Sequence, residues 1–221
     1  MDTKLLANSL LFRGNTETEI ASMLNCLGSR LKAFKKGELI FHAGEILEHV
    51  GIVISGHVHI EIDDFWGNKS IMNIIEPGQI FAEAYACTPG EPLMVNAAAA
   101  SECEILFLNI KKILQTCSSS CIHHNRLIQN LLTIMAQKNL QLSRRMLHTA
   151  PKTIRERLLA YLSFQALRQN SHRITIPFNR QQLADYLNVD RSALSNELGK
   201  MQRDGILEVH KNQFILNTEH L

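Results

Sequence analysis

The chain has 221 residues, 45% apolar and 20% charged, with a formal net charge of +2 at neutral pH. That length accommodates one large domain or two ordinary ones, and no apolar run is long enough to cross a bilayer. The N-terminus, MDTKLLANSLLFRGN, has neither an apolar core nor a small-residue cleavage site, so no export signal is expected and the cytoplasm is the expected compartment. The charge is uneven: residues 1–150 hold 13 Lys and Arg against 14 Asp and Glu, whereas residues 151–221 hold 10 against 7. A small basic C-terminal domain is compatible with nucleic acid. Cys26, Cys87, Cys103, Cys117 and Cys121 are an odd number without tight pairs, which argues against a disulfide framework. Cys117 and Cys121, four apart, have weak metal or redox spacing, and buried thiols are the plainer reading.

From Lys32 to about Leu108 the texture is β. Short apolar runs (Glu38–Phe41, Gly51–Ile54, His57–Ile62, Ile71–Ile75) are punctuated by glycines at 37, 44, 51, 56, 67 and 78. Such spacing predicts a sandwich or small barrel, with Asp63–Asn68 as a hairpin loop. A helix is expected from about Ile122 to Leu147. Along it Ile128, Leu132, Met135, Asn139, Leu142 and Met146 recur in steps of four and three, the seam of a coiled coil with Asn139 fixing register. That stripe is the expected homodimer interface. Pro151 is expected in the first turn of the next helix, Lys152 to about Gln169, with Thr149 as its cap and a hinge at about His148–Pro151. The domains are therefore expected at 1–120 (sensing roll), 121–148 (dimerisation helix) and 149–221 (DNA-binding domain).

Residues 178–217 carry the clearest signal. Asn179 caps a helix to Leu187 with Leu183, Ala184 and Leu187 facing inward, Asn188–Asp190 turns, and Asp190 caps a second helix, Arg191–Arg203. That second helix buries Leu194, Leu198 and Met201 and exposes Arg191, Ser192, Ser195, Asn196 and Lys200. Guanidinium, hydroxyl and amide groups on one face suit the hydrogen-bonding edges of a major groove. Ile206–Leu216 alternates around Lys211-Asn212, a β-hairpin wing. A winged helix used only for protein contacts is the bland alternative.

A glycine-punctuated roll, a long helix and a C-terminal winged helix-turn-helix, in that order, resemble the Crp/Fnr transcription regulators over residues 5–217. The firmest local match is Arg180-Gln181 followed eleven residues on by Arg191, in the register of Thr-Arg-Gln and Ser-Arg-Glu-Thr-Val of cyclic-AMP-binding members; Gly37-Glu38 and Gly44-Glu45 add support. The resemblance implies an α+β fold with an N-terminal double-stranded β-roll (jelly-roll-like). It also implies double-stranded DNA with a palindromic operator as ligand, and RNA polymerase as a partner. Arg180 and Gln181 would contact phosphates, Arg191, Ser192, Ser195 and Asn196 would face bases, and Lys200 and Lys211 complete the expected DNA-binding set. Ser192 and Asn196 depart from the family's base-reading Glu and Arg, so its usual half-site is not carried over.

In cyclic-nucleotide members a Gly-Glu pair and an Arg-Ser pair hold the ribose and the phosphate. Here Glu83 fits the ribose-binding position, but Leu93-Met94 stands at the Arg-Ser pair, removing the charge-assisted contact to a phosphate. No cyclic AMP is expected. One N-terminal cysteine, Cys26, does not make a four-cysteine iron–sulfur site, and Ala82 and Ala84 replace the haem ligands. No cofactor is expected, and the candidate effector pocket for a small, partly apolar molecule comprises Ile80, Phe81, Glu83, Leu93, Met94, Leu142 and Ser143. The alternative is that these side chains fill the core. A rival reading takes His57 and His59, two apart on a strand, with His42, as a cupin-like metal site. The second cupin motif is missing, since Phe81 and Ala82 occupy its place, and no catalytic constellation is recognisable; an enzyme is not expected.

Overall fold

The computed structural model describes residues 3–63, 66, 69–115 and 122–217. The chain falls into two compact units, Met1–Gln137 and Lys138–Leu221.

The first unit opens with α1 (Thr3–Asn8) and α2 (Glu17–Cys26). Thr16 and Glu19 form a reciprocal capping box that starts α2. Eight strands follow: β1 (Arg30–Phe34), β2 (Leu39–Phe41), β3 (His49–Ser55), β4 (Val58–Asp63), β5 (Lys69–Ile75), β6 (Ile80–Phe81), β7 (Asn96–Ala99) and β8 (Cys103–Asn109). A short α3 (Glu83–Ala86) lies between β6 and β7, and α4 (Ile110–Leu114) follows β8. The strands form two four-stranded antiparallel sheets, ordered β1-β8-β3-β6 and β2-β7-β4-β5. Their inner residues share one core, with Val50, Ile52, Ile105 and Leu106 of the first sheet and Val58, Ala97 and Ala99 of the second.

Two glycines are required by this packing. A side chain at Gly51 would collide with the Phe81 ring, and Gly56 has φ +73° with its missing Cβ aimed at the Glu102 carbonyl and Cys103. The expected hairpin loop lies partly outside the described residues: Asp64, Phe65, Gly67 and Asn68 are not described, nor are Cys117 and Cys121.

The long helix, α5 (Ile122–Thr149), contributes to both units. In the first unit Leu127, Leu131 and Ile134 are buried in the roll core, a face the heptad pattern does not single out. Asn130 Nδ2 donates to the carbonyls of Leu11 and Arg13 at 2.9 Å each, tying the helix to the N-terminal segment. Along the expected seam, Leu132, Leu142 and Met146 are 68%, 69% and 66% exposed, Asn139 is exposed, and Ile128 and Met135 are half-buried.

The second unit adds α6 (Ile154–Gln169), β9 (Arg173–Thr175), α7 (Arg180–Leu187), α8 (Arg191–Arg203), β10 (Leu207–His210) and β11 (Gln213–Leu216). The start of α6 corrects the sequence expectation. Thr153, not Thr149, is the cap, and Glu156 closes a capping box with it, so Lys152 and Pro151 precede the helix. Two reciprocal hydrogen bonds outweigh what Pro151 offers at a first turn. Thr149 instead ends α5, its hydroxyl donating to the Arg145 carbonyl at 2.8 Å. The two wing strands are joined by β9 in a three-stranded antiparallel sheet ordered β10-β11-β9, an edge the sequence reading did not include. Leu158, Tyr161, Leu162, Leu183, Leu187, Leu194, Leu198, Met201 and Phe214 form a separate core. Among the described residues, no helix is long and apolar enough to cross a membrane.

Candidate nucleic-acid interface

The pair α7–α8 is set by local hydrogen bonds. Asn179 Oδ1 accepts from the Gln182 amide at 2.9 Å, and the Gln182 side chain accepts from the Asn179 amide at 2.9 Å. At the far end Asn188 adopts the left-handed conformation (φ 54°) that lets its amide reach the Ala184 and Asp185 carbonyls. Asp190 then caps α8, its Oδ1 accepting from the Ala193 amide at 2.9 Å and from the Ser192 hydroxyl. These contacts, the Ser192 hydroxyl first, hold the Asp190 carboxyl below its ordinary value. Ala184 is completely buried between the helices, where a larger side chain would push them apart.

What α8 leaves outside is polar. Arg191, Ser192, Ser195, Asn196 and Lys200 are all exposed, while Leu194, Leu198 and Met201 are buried beneath them. The Ser195 hydroxyl donates to the Arg191 carbonyl at 2.9 Å and keeps its lone pairs for an outside donor. Among the described residues the Arg191 guanidinium has no hydrogen-bond or ion-pair partner, its backbone alone being engaged by Ser195 and Asp190. The one acidic side chain of the helix, Glu197, is held by Arg155 of α6 (Nε–Oε1 2.6 Å), and Arg155 also reaches Asp204 at 2.7 Å. Those two hydrogen bonds hold the Arg155 guanidinium above its ordinary value. The pairing holds one oxygen of α8's carboxylate against α6, while the other lies 3.7 Å from Lys200 Nζ. No sequence signal pointed to it, because the partners are 42 residues apart.

The expected phosphate contacts divide. Arg180 is half-buried at the start of α7, and burial lowers its guanidinium from the ordinary value. It shares a cleft of about 430 Å³ with Phe178, Asn179, Gln182, Asn212 and Lys211. Lys211 sits at the wing turn with φ 56°, and Asn212 anchors that turn by donating to the Ile176 carbonyl at 3.0 Å. Two cations beside a helix N-terminus suit an anionic oxygen. Gln181 is exposed but engaged, its Nε2 donating to Asp185 at 2.8 Å.

In the roll, the residues expected to hold an effector are mostly core. Ile80, Phe81, Glu83 and Leu93 are 5%, 2%, 5% and 4% exposed, whereas Met94 is 74% exposed. Phe81 packs against Phe41 at 5.8 Å and over Gly51. Ala82 enters α3 in the left-handed region at φ 65°, an uncommon conformation for a residue with a Cβ. Burial, then the nearby Glu83, pushes the Cys87 thiol up. Leu142 and Ser143 lie on the part of α5 that belongs to the second unit and are exposed. Among the described residues no three His, Cys, Asp or Glu side chains come together to hold a metal, so His42 does not join His57 and His59 in a ligand set.

Residues 31–120 match the cyclic nucleotide-binding domain, and residues 156–221 match the Crp-like helix-turn-helix domain. The chain belongs to the Crp/Fnr family. Among its relatives is the transcriptional activator protein FnrA of Stutzerimonas stutzeri, 24% identical over 191 residues, covering 84% of this chain and 75% of that protein. Electron transport regulator A of Shewanella oneidensis is 23% identical over 197 residues, covering 86% and 76%. The catabolite activator protein of Thermus thermophilus has the same fold, with a TM-score of 0.52 at 20% identity over 95% of this chain and 94% of that one. As a Crp/Fnr-type transcription regulator, the chain places its DNA-binding chemistry in the α7–α8 pair.

Proposed function

We propose that this Crp/Fnr regulator acts in the cytoplasm as a homodimer on a palindromic operator, controlled by a small effector other than a cyclic nucleotide. The observation that carries the proposal is the exposed face of α8, where Arg191, Ser192, Ser195, Asn196 and Lys200 stand clear of the domain core. Arg191, Ser192, Ser195 and Asn196 are the base-reading set. Arg180, Gln181, Lys200 and Lys211 are the phosphate-contacting set, which fixes register without reading sequence.

Dimerisation is supported by the stripe Ile128, Leu132, Met135, Asn139, Leu142 and Met146, much of it uncovered in a single chain. Exposed leucines at heptad spacing are stabilised when a second helix covers them. A two-fold dimer presents two recognition helices to half-sites about one duplex turn apart. RNA polymerase is the proposed protein partner once the dimer is on its operator.

The exclusion of cyclic nucleotides rests on charge. The segment 82–95 contains no Lys or Arg, Leu93 is buried, and Met94 points to solvent. A cyclic phosphate there would find no cation supplied by that segment. The proposed effector surface in the first unit is Ile80, Phe81, Glu83, Leu93 and Met94, and the ligand must prefer one dimer state to shift DNA affinity.

The test is sequencing of genomic fragments retained by the purified chain. A shared palindrome with half-sites about ten base pairs apart is the expected result. Retained fragments with no common motif would count against sequence-specific reading. Calorimetry with cyclic AMP, run beside it, is expected to give no heat of binding.

A further inference from the structure

One buried imidazole stands out at the end of α5. His148 is 4% exposed, although its neighbours Met146 and Leu147 are each 66% exposed. Its ring lies against Tyr161 and Phe164 of α6, with centroids 5.4 and 5.2 Å away, and against Tyr186 of α7 at 5.8 Å. Its Nδ1 is 2.8 Å from the Tyr186 hydroxyl. Tyr186 in turn packs on Tyr161 at 5.3 Å and on Phe178 at 5.0 Å. From the preceding turn, Arg145 donates to the carbonyls of Tyr186 and Asp185 at 3.3 and 3.2 Å. The connector is bound as well: Arg157 donates to the carbonyls of Pro151, Leu187 and Asn188 at 2.8, 3.2 and 3.1 Å. The stretch expected to hinge is thus fastened to α7, the helix whose C-terminal turn aims α8.

We propose that His148 is a positioning residue for DNA recognition: its neutral imidazole locks α7 to the last turn of α5, and protonation releases it. The inference rests on the DNA-binding reading above and adds a pH sensitivity to it. The groups facing the ring are Arg144 and Arg145 on its own helix, Tyr161 and Phe164 on α6, and Tyr186 on α7. The nearest α7 carboxylate, Asp185, is engaged by Gln181, and among the described residues no carboxylate pairs with His148. A third positive charge beside Arg144 and Arg145 therefore finds no counterion.

Burial first, and then Arg144, lowers the imidazole's pKa from its ordinary 6.5. Above pH 6.5 the ring is neutral whether locked or released, so the lock is at full strength. As pH falls below that value the released form takes up the proton first, and the equilibrium shifts toward release. This direction is opposite to that of a histidine on the DNA face, where protonation adds a cation and tightens binding.

The test uses the full chain and two readouts, compared at pH 7.5 and pH 5.8. One is hydrogen exchange of the α7 amides, corrected for intrinsic rates. The other is affinity for a genomic fragment selected at pH 7.5. In the wild-type chain, α7 exchange is expected to accelerate and fragment affinity to fall about threefold at the acid pH, as partial loss of a one-site linkage allows. In H148F, which keeps an aromatic ring without a titrating group, both ratios are expected to stay near one; H148Q serves the same purpose should H148F fold poorly. Y186F is expected to raise α7 exchange already at pH 7.5. Equal acid-induced exchange in wild type and both His148 variants would overturn the proposal. If no fragment is retained by the wild type at any pH, the DNA reading fails while the exchange data still decide the lock.

Discussion

The solvent face of α8 and the turn after β6 present their chemistry in opposite ways. On α8 the polar residues point outward over a buried Leu194–Leu198–Met201 seam, so the surface for a ligand and the support beneath it are separate sets of side chains. In and just after β6 the residues that would meet an effector, Ile80, Phe81, Glu83 and Leu93, are buried, and Ile80, Phe81 and Leu93 belong to the core shared by the two sheets. A long, repetitive ligand can be read from outside a rigid element, whereas a small one must be admitted into a core. The difference teaches that substitutions in the two units report on different quantities: binding without stability on α8, and stability before binding in the roll.

Four variants would break or sharpen that contrast. Leu142→Glu on the uncovered stripe of α5 has the largest expected effect. Each copy loses about 1.5–3 kcal/mol of apolar burial, and two like charges face each other, so the dimer dissociation constant should rise at least about hundredfold. Sedimentation velocity across a concentration series would show it, and an unchanged dimer would put the interface elsewhere.

Next in size is Gly56→Ala in the roll. Its positive φ and the Glu102 carbonyl in the path of a Cβ should cost about 2–4 kcal/mol, read as a lower Tm with two-state unfolding of the first unit. Lys211→Ala is smaller: operator affinity should weaken evenly across sequences, the slope of log K against log salt should fall by about 1, and Tm should hold. A loss of sequence preference in that variant would move the wing from the phosphates to the bases. The smallest effect is Ala82→Gly, where relief of the left-handed strain at φ 65° should raise stability by up to about 1 kcal/mol. A drop instead would mean that the methyl group packs usefully against the core.

How legible these features were depends on how local their causes are. Asn179, Asn188 and Asp190 make their capping bonds within three or four residues, and α7, α8 and the wing hairpin came out at the expected positions. The Thr153–Glu156 box was equally local and was passed over because Pro151 drew the helix start toward itself. By contrast β9 pairs with β11 across some forty residues, and Leu127, Leu131 and Ile134 join a core whose other members lie far earlier in the chain. The heptad pattern marked one face of α5 and gave no sign that a second apolar face was claimed by the roll. The burial of Leu93 beside an exposed Met94, and the Arg155–Glu197 pair, likewise follow from tertiary packing that no spacing rule reports.

The central claim is that Arg191 reads bases and does not merely bind phosphate. The most direct measurement compares wild type and Arg191→Ala on a selected operator and on a duplex of the same composition with the half-sites scrambled, at one salt concentration. Arg191→Ala is expected to lose about 1–3 kcal/mol on the operator and much less on the scrambled duplex, so that the preference between them collapses. Equal weakening on both duplexes, with the preference intact, would contradict it.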